Sequence, residues 1–194
     1  DEQEKKIEYK QQFAADGLFL VVSYLKDVKY IHIRRFYQAD GGKWLPSREG
    51  STFTEKRFAA LLAIQPELDD RYFQWQNGLQ VSTFERFIGG GWKVSVDPVT
   101  LQIDIRKFFH ARKESDLRRP TRTGIKFHLK EWRGLAECID ELCNLDTRLN
   151  DIIPCYDTHD SQDQMTRCPE CSPYYVPKSK ADPSPLTLDM SLLY

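Results

Sequence analysis

Three cysteines and one histidine late in the chain have the spacing of a metal site. They follow the pattern Cys155-x3-His159-x8-Cys168-x2-Cys171. Thiolate sulfur and imidazole nitrogen are ligands that Zn²⁺ prefers, and a Cys-x2-Cys pair lets two thiolates reach one tetrahedral ion. We expect a structural zinc site within residues 151–172. The alternative is a reducible pair formed by Cys168 and Cys171 alone, with His159 facing solvent.

A second pattern is a strand with basic and aromatic residues that occurs twice. Residues 103–109 read Ile-Asp-Ile-Arg-Lys-Phe-Phe, and residues 31–37 read Ile-His-Ile-Arg-Arg-Phe-Tyr. Side chains alternate along a strand, so the isoleucines face one side and the first arginine and first phenylalanine face the other. Exposed rings stack on bases and guanidinium groups meet phosphates, which is the chemistry of single-strand binding. The alternative is that the rings are core and the arginines form ordinary surface pairs.

The similarity between the two copies extends to both sides of this strand. Upstream, the matched pairs are Gly17 with Gly89, Val22 with Val94, and Ser23 with Ser95. Downstream, residues 46–50 match residues 120–124 at an offset that is two residues larger. An offset that changes once, within a polar loop, is typical of a duplicated module.

The repeat divides the chain into five parts. They are an N-terminal arm (1–16), a first module (17–77), a second module (84–150), a zinc-binding segment (151–172) and a flexible tail (173–194). Modules this small bury little core alone, so we expect them to pack on each other. The arm is charged, and it is expected to be a short helix or frayed.

Each module is predicted to be an α+β layer of four antiparallel strands followed by one covering helix. In the first module, Lys26-Asp27 and Asp40-Gly41-Gly42 are hairpin turns. Two short strands bent at Pro46 come next, and Thr54 caps a helix that Pro66 interrupts. The second module repeats this plan, with short strands at Leu117 and at 125–127 and a helix over 129–150.

The second module resembles the DNA-binding domain of the positive cofactor four family of transcriptional coactivators. The resemblance rests on Ile88-Gly89, Lys93-Val-Ser-Val, the Ile-Asp-Ile-Arg-Lys-Phe-Phe strand, a basic loop, Pro-x-Arg-x-Gly-Ile and a helix that contains Trp132. It covers residues 86–149 well and residues 17–75 more loosely. It implies a curved four-stranded sheet with one helix, and binding of single-stranded or melted DNA across paired β-surfaces. Two copies in one chain then imply an intramolecular pseudo-dimer.

The resemblance also assigns binding residues. The family's strand arginine falls on Arg34 and Arg106, and its aromatic pair falls on Phe36-Tyr37 and Phe108-Phe109. The remaining assignments are Lys107, Lys93, Arg118, Arg119, Arg122 and Arg48, with Trp92 replacing a basic position and offering a ring instead. The first module lacks several of these contacts, so binding is expected to be asymmetric.

Composition sets the limits of these hypotheses. The net charge is −1, but residues 86–133 hold twelve Lys and Arg against five acids, an excess of seven that suits phosphate binding. No apolar run is long enough to span a membrane. Five cysteines, an odd number, favour a reducing compartment with a metal or free thiols, and Cys138 and Cys143 are expected to be core.

Together with the resemblance, these features predict a non-enzymatic single-stranded DNA-binding protein that acts in transcription, replication or repair, with transcription or repair proteins as partners. The resemblance implies a nuclear protein if the source is eukaryotic. No catalytic motif is found among the four histidines, the glycine run 89–91 or the serines. One alternative is a protein-interaction scaffold that kept the fold and lost DNA binding. Another is RNA binding, because stacking does not distinguish the sugars.

Overall fold

The computed structural model describes residues 6–110 and 118–172. The predicted short strand at Leu117 and the predicted flexible tail (173–194) lie outside the described residues. Of the helices in the described ranges, none is both long enough and apolar enough to cross a membrane.

The strands of the described residues form one antiparallel sheet. Their bounds are β1 (Lys6–Ala14), β2 (Leu18–Leu25), β3 (Val28–Gln38), β4 (Trp44–Thr54), β5 (Phe84–Phe87), β6 (Trp92–Asp97), β7 (Gln102–His110) and β8 (Arg118–His128). The strand order is β1-β2-β3-β4-β8-β7-β6-β5. The first half of the sheet (β1–β4) therefore meets the second half (β5–β8) at β4 and β8, whose one register pair is Gly50 with Gly124.

Helices cover one face of this sheet. They are α1 (Glu55–Ala63), α2 (Gln65–Gln76), α3 (Trp132–Leu145) and the short α4 (Gln162–Arg167), with 3-10 turns at Leu129–Glu131, Thr147–Asp151 and Cys155–Thr158. The predicted cap is confirmed, because the Thr54 side chain accepts a hydrogen bond from the Arg57 amide at 3.3 Å. Pro66 lies in the first turn of α2, where its missing N–H costs nothing. The α+β class is confirmed.

The core lies between the helices and the sheet. Ile31, Ile33, Ile103 and Ile105 are each 0 % exposed and belong to one continuous cluster that spans both halves. The same cluster contains the apolar residues of α1 and α3. The prediction that the isoleucine face lies under the helices is confirmed.

Two predictions about individual elements were wrong. Residues 6–14 form strand β1 rather than a helix or frayed arm, because Tyr9 and Phe13 pack on the core while Lys10 and Gln11 between them are exposed. The two short strands predicted around Pro46 are one strand, β4, and residues 125–127 are part of the longer strand β8 rather than a short strand of their own. Each keeps its pairing through a register shift, which lies beside Arg34/Phe36 in the first half and beside Arg106/Phe108 in the second.

The register also corrects the three upstream matched pairs of the predicted repeat. Val22 pairs with Ile31 as Val96, not Val94, pairs with Ile103, and Ser23 takes the position of Asp97. The amide of Phe36 donates to the carbonyl of Gly17, and the amide of Phe108 donates to that of Gly91, both at 2.7 Å. Gly91, and not Gly89, therefore takes the position of Gly17. The cause is turn length, since β2 and β3 close with Leu25 opposite Val28, whereas β6 and β7 close with a longer turn.

Gly124 is expected to tolerate a side chain less well than Gly50. A Cβ at Gly124 would lie 2.7 Å from the Ile105 carbonyl oxygen and 2.9 Å from the Arg106 Cα, which are backbone atoms. A Cβ at Gly50 would meet side-chain atoms of Arg34, the nearest at 2.8 Å, which can shift more easily than backbone. Gly124→Ala should therefore cost about 1–3 kcal/mol of unfolding free energy, and Gly50→Ala less. Urea denaturation of both variants measures the difference, and equal stabilities would contradict this account of the sheet centre.

Candidate nucleic-acid interface and metal centre

The face of the sheet that points away from the helices differs between the two halves. We call its part on β5–β8 the second-half face, defined by Phe87, Lys93, Arg106 and Phe108. These side chains share one face because Phe87 pairs with Lys93 and Lys93 pairs with Arg106 in register. Phe108 follows Arg106 at an interval of two, so the alternation keeps it on the same side.

Arg106 is held in place by its neighbours. Its Nε lies 3.0 Å from Asp104 Oδ2, and its Nη1 donates to the Thr121 carbonyl at 3.0 Å. The side chain remains 23 % exposed. The guanidinium is thus fixed on the face and still reachable by a phosphate, which is the arrangement that phosphate contacts use.

Rings and cations alternate beside Arg106. The Lys93 ammonium lies 4.7 Å from the centroid of the Phe108 ring, and that ring lies 6.2 Å from the Phe87 ring, edge to face. The Arg118 guanidinium lies 4.2 Å from the Phe87 centroid. Phe87 is 39 % exposed. This face therefore offers both stacking surface and positive charge.

The first-half face is closed, and this contradicts the expectation of an open surface there. Arg34 and Phe36 are each only 5 % exposed. The Phe36 ring packs 4.8 Å from Phe19, and the Lys10 ammonium of β1 lies 4.2 Å over it. Arg34 donates to the Ser47 carbonyl at 2.9 Å. Both residues support the fold rather than present a binding surface.

Two assignments in the second half also require correction. Trp92 is 1 % exposed and its ring packs 5.6 Å from Phe53, so it offers no stacking face. Trp92 takes the core position that Leu18 has in the first half. The sequence alignment does not show this, because the turns of the two halves differ in length by two residues. Lys107 lies on the helix side of the sheet with Ile105. Burial there lowers the pKa of Lys107 to about 8, and the positive charge of Arg57 is the second, smaller cause. Lys107 therefore does not belong to the second-half face.

The remaining predicted residues lie on the four central strands of the sheet, β3, β4, β8 and β7. Tyr37 and Phe109 are 49 % and 45 % exposed near the ends of β3 and β7. The basic residues are all exposed on β4 and β8: Arg48, Arg118, Arg119 and Arg122. Sequence reasoning missed Phe87, because the run Phe-Glu-Arg-Phe is too short to be recognised as a strand without its partner β6.

The four predicted metal ligands come together. The Cys155 sulfur lies 3.6 Å from both the Cys168 sulfur and the His159 Nε2, and the Cys171 sulfur lies 3.4 Å from the same nitrogen. All four ligand atoms lie within 4.8 Å of one another. A tetrahedral ion with Zn–S bonds of about 2.3 Å separates its sulfurs by about 3.8 Å, so the spacing fits a Cys3His zinc centre.

The thiols do not form the alternative disulfide. All five cysteines are free. Cys138 and Cys143 are buried on α3, at 6 % and 8 % exposure, as expected for core thiols. The Cys/His segment (residues 151–172) thus keeps its three cysteines available for one ion.

The Cys/His segment contacts both halves of the sheet. Glu170 accepts from the Thr54 hydroxyl at 2.6 Å and pairs with Arg57 at 2.7 Å. On the other side, the Gly90 amide donates to the Cys171 carbonyl at 2.9 Å. A Cβ at Gly90 would lie 2.6 Å from the Arg57 guanidinium, so the glycine run allows this close approach. The glycine run 89–91 is therefore where the segment docks on the second half.

The comparison with protein families agrees with part of this picture. Residues 18–64 match the family model of the Transcriptional Coactivator p15 (PC4). The match covers β2, β3, β4 and α1, so this part of the chain is similar to that family. It lies in the first half, although the sequence resemblance was stronger in the second. No curated protein and no solved structure gives a significant match to the chain.

Proposed function

We propose that this chain is a non-enzymatic single-stranded DNA-binding protein that acts as a transcriptional coactivator or as an accessory in replication or repair. The observation that carries the proposal is the second-half face, where Arg106 and Lys93 stand beside the Phe108 and Phe87 rings. The match of residues 18–64 to the coactivator family supports it. That family is non-enzymatic and binds DNA, and it is nuclear in eukaryotes, so nuclear localisation is part of the proposal.

The proposed binding residues are those whose side chains are at least partly exposed and do not lie on the helix-covered face of the sheet. The central contacts are Arg106 and Phe108, with Lys93 and Phe87 beside them. The outer contacts are Phe109, Arg118, Arg119 and Arg122, and the first half adds only Tyr37 on β3 and Arg48 on β4. Binding is therefore asymmetric.

We also propose that the two modules form a pseudo-dimer within one chain. The strand order runs from β1 to β4 and then in reverse from β8 to β5, which is the order a two-fold axis between β4 and β8 would give. The shared register supports this, because Arg34 and Phe36 face Gly50 and Pro46 as Arg106 and Phe108 face Gly124 and Pro120.

The Cys/His segment is proposed to hold one structural zinc ion through Cys155, His159, Cys168 and Cys171. The ion would supply a tetrahedral cross-link among four side chains of a segment that has little secondary structure. The closed set of four protein ligands leaves no open position for catalysis. The segment would then be fixed against Arg57 and Gly90, and so against both halves of the sheet.

The closed first-half face favours a second candidate, a protein-interaction scaffold. In that case the exposed ring of Tyr37, 49 % accessible, and the Cys/His segment would contact transcription or repair proteins. A scaffold would show almost no salt-dependent affinity for nucleic acid, which separates it from the leading proposal.

Fluorescence-anisotropy titration tests the proposed function. The probes are labelled oligo-dT of about 20 nucleotides, the matched duplex and the corresponding oligo-U, at several salt concentrations. We expect a preference for the single DNA strand and a log–log salt slope of about −0.7 per phosphate contact. Equal binding of oligo-U would favour RNA as the ligand. Absence of binding at low salt would leave the scaffold as the function.

A further inference from the structure

A groove of about 440 Å³ lies beside the second-half face. One wall consists of Phe87, Phe108 and Arg118, and a second consists of Ala63 and Glu67 at the junction of α1 and α2. The Cys/His segment closes it with Met165, among others. A volume of this size is within the range of small-molecule sites, so it exceeds what a packing defect would leave.

The groove continues the proposed binding surface. The same two rings that face a bound strand, Phe87 and Phe108, also form its wall. A strand that stacks on these rings therefore reaches the mouth of the groove without a gap.

The charges of the groove suit one nucleotide. Arg118, whose guanidinium lies over the Phe87 ring, places a positive charge there for a phosphate. The Glu67 carboxylate, which also lines the groove and lies 3.7 Å from Arg86, repels phosphate but accepts hydrogen bonds from base N–H groups. The apolar part between them, with Met165 and the rings, matches the flat face of a base.

We propose that this groove holds one unstacked base of the single strand that crosses the second-half face. The inference rests on the proposed function and adds a base pocket that the Cys/His segment helps to build. It requires the bases, and not the phosphates alone, to contribute to binding at this place. Unstacking is cheapest in a single strand, which would reinforce the preference over duplex.

Filling the groove tests the proposal. Ala63 is exposed on α1 and lines the groove, so Ala63→Trp adds a ring there without disturbing the core. Affinity for oligo-dT should fall by about tenfold, the size of one lost stacking contact. Affinity for an abasic strand of the same length should not change, because the phosphate contacts remain. The matched control is Leu145→Trp, which is 70 % exposed and outside the groove.

Each outcome decides the matter. If the wild-type protein binds oligo-dT and Ala63→Trp does not change the affinity, the base pocket is overturned and the proposed function stands. The groove would then be a site for another ligand, such as a side chain of a partner protein. An equal loss for oligo-dT and the abasic strand would overturn it as well. A wild-type protein that binds no oligonucleotide would overturn both. Should Ala63→Trp melt early, Ala63→Leu should still weaken oligo-dT binding about threefold.

Discussion

Replacing Arg106 and Phe108 together by alanine is expected to weaken oligo-dT binding at least about tenfold and to leave the protein folded. The change removes one fixed guanidinium and one stacking ring from the second-half face. Folding should persist because both side chains lie at the surface, and the groups that held Arg106, namely Asp104 and the Thr121 carbonyl, can turn to water. Anisotropy titration measures the affinity, and circular dichroism checks the fold.

The matched control is the exposed pair of the first half. Tyr37→Ala with Arg48→Ala should lower the affinity about threefold or less, because the closed first-half face offers only these two exposed residues among the predicted contacts. The strand-equivalent pair, Arg34 and Phe36, is unsuitable, since truncating the buried Phe36 ring would cost about 3–5 kcal/mol of folding energy. If the Arg106/Phe108 variant binds oligo-dT with unchanged affinity, the second-half face is not the binding site. If the Tyr37/Arg48 control loses more affinity than the Arg106/Phe108 variant, the proposal of asymmetric binding is wrong.

Cys168→Ser is expected to abolish zinc binding and to lower the thermal midpoint by about 10 °C or more. The segment around Cys168 has few apolar contacts of its own, so its order would depend on the ion. Losing that order would also release Glu170 and leave the Arg57 charge, which is 2 % exposed, without its carboxylate partner. Elemental analysis of the purified protein measures the zinc content, and differential scanning fluorimetry measures the midpoint.

Cys138→Ala provides the control for this loss. Cys138 is buried on α3 and lies outside the four-ligand cluster, so its replacement should leave one zinc per chain and cost about 1–2 kcal/mol of folding energy. A Cys168→Ser protein that still carries one zinc per chain would exclude the proposed ligand set. Wild-type protein isolated without any metal would exclude the structural zinc.

The sequence predicted correctly those structural features that are determined by residues close together in the chain. Alternation placed Ile103 and Ile105 in the core, the Thr54 hydroxyl capped α1, and the spacing from Cys155 to Cys171 predicted the ligand cluster. Each of these is decided within a few residues or by one chemical preference.

What depends on distant contacts was not predictable in the same way. The first-half face is closed by Lys10 of β1, whose pairing with β2 no local pattern indicates in so charged a segment. Trp92 was misassigned because the turn between β6 and β7 is two residues longer than the turn between β2 and β3. A shift by two residues keeps the same alternation of side chains, so the sequence pattern does not reveal that each β6 residue has a different partner. The docking of Glu170 on Arg57 joins residues more than a hundred positions apart.

The antiparallel junction between β4 and β8 has a consequence for the direction of a bound strand. Because every neighbouring pair in the sheet is antiparallel, β3 and β7 run in opposite directions. A nucleic acid strand read from 5′ to 3′ would meet the equivalent side chains of the two halves in opposite order. Because Phe36 is buried and Phe108 is only partly buried, the two halves offer different contacts, so the two polarities of a bound strand are not equivalent. The chain would thus select the polarity of the strand it holds, which a symmetric pair of identical subunits could not do.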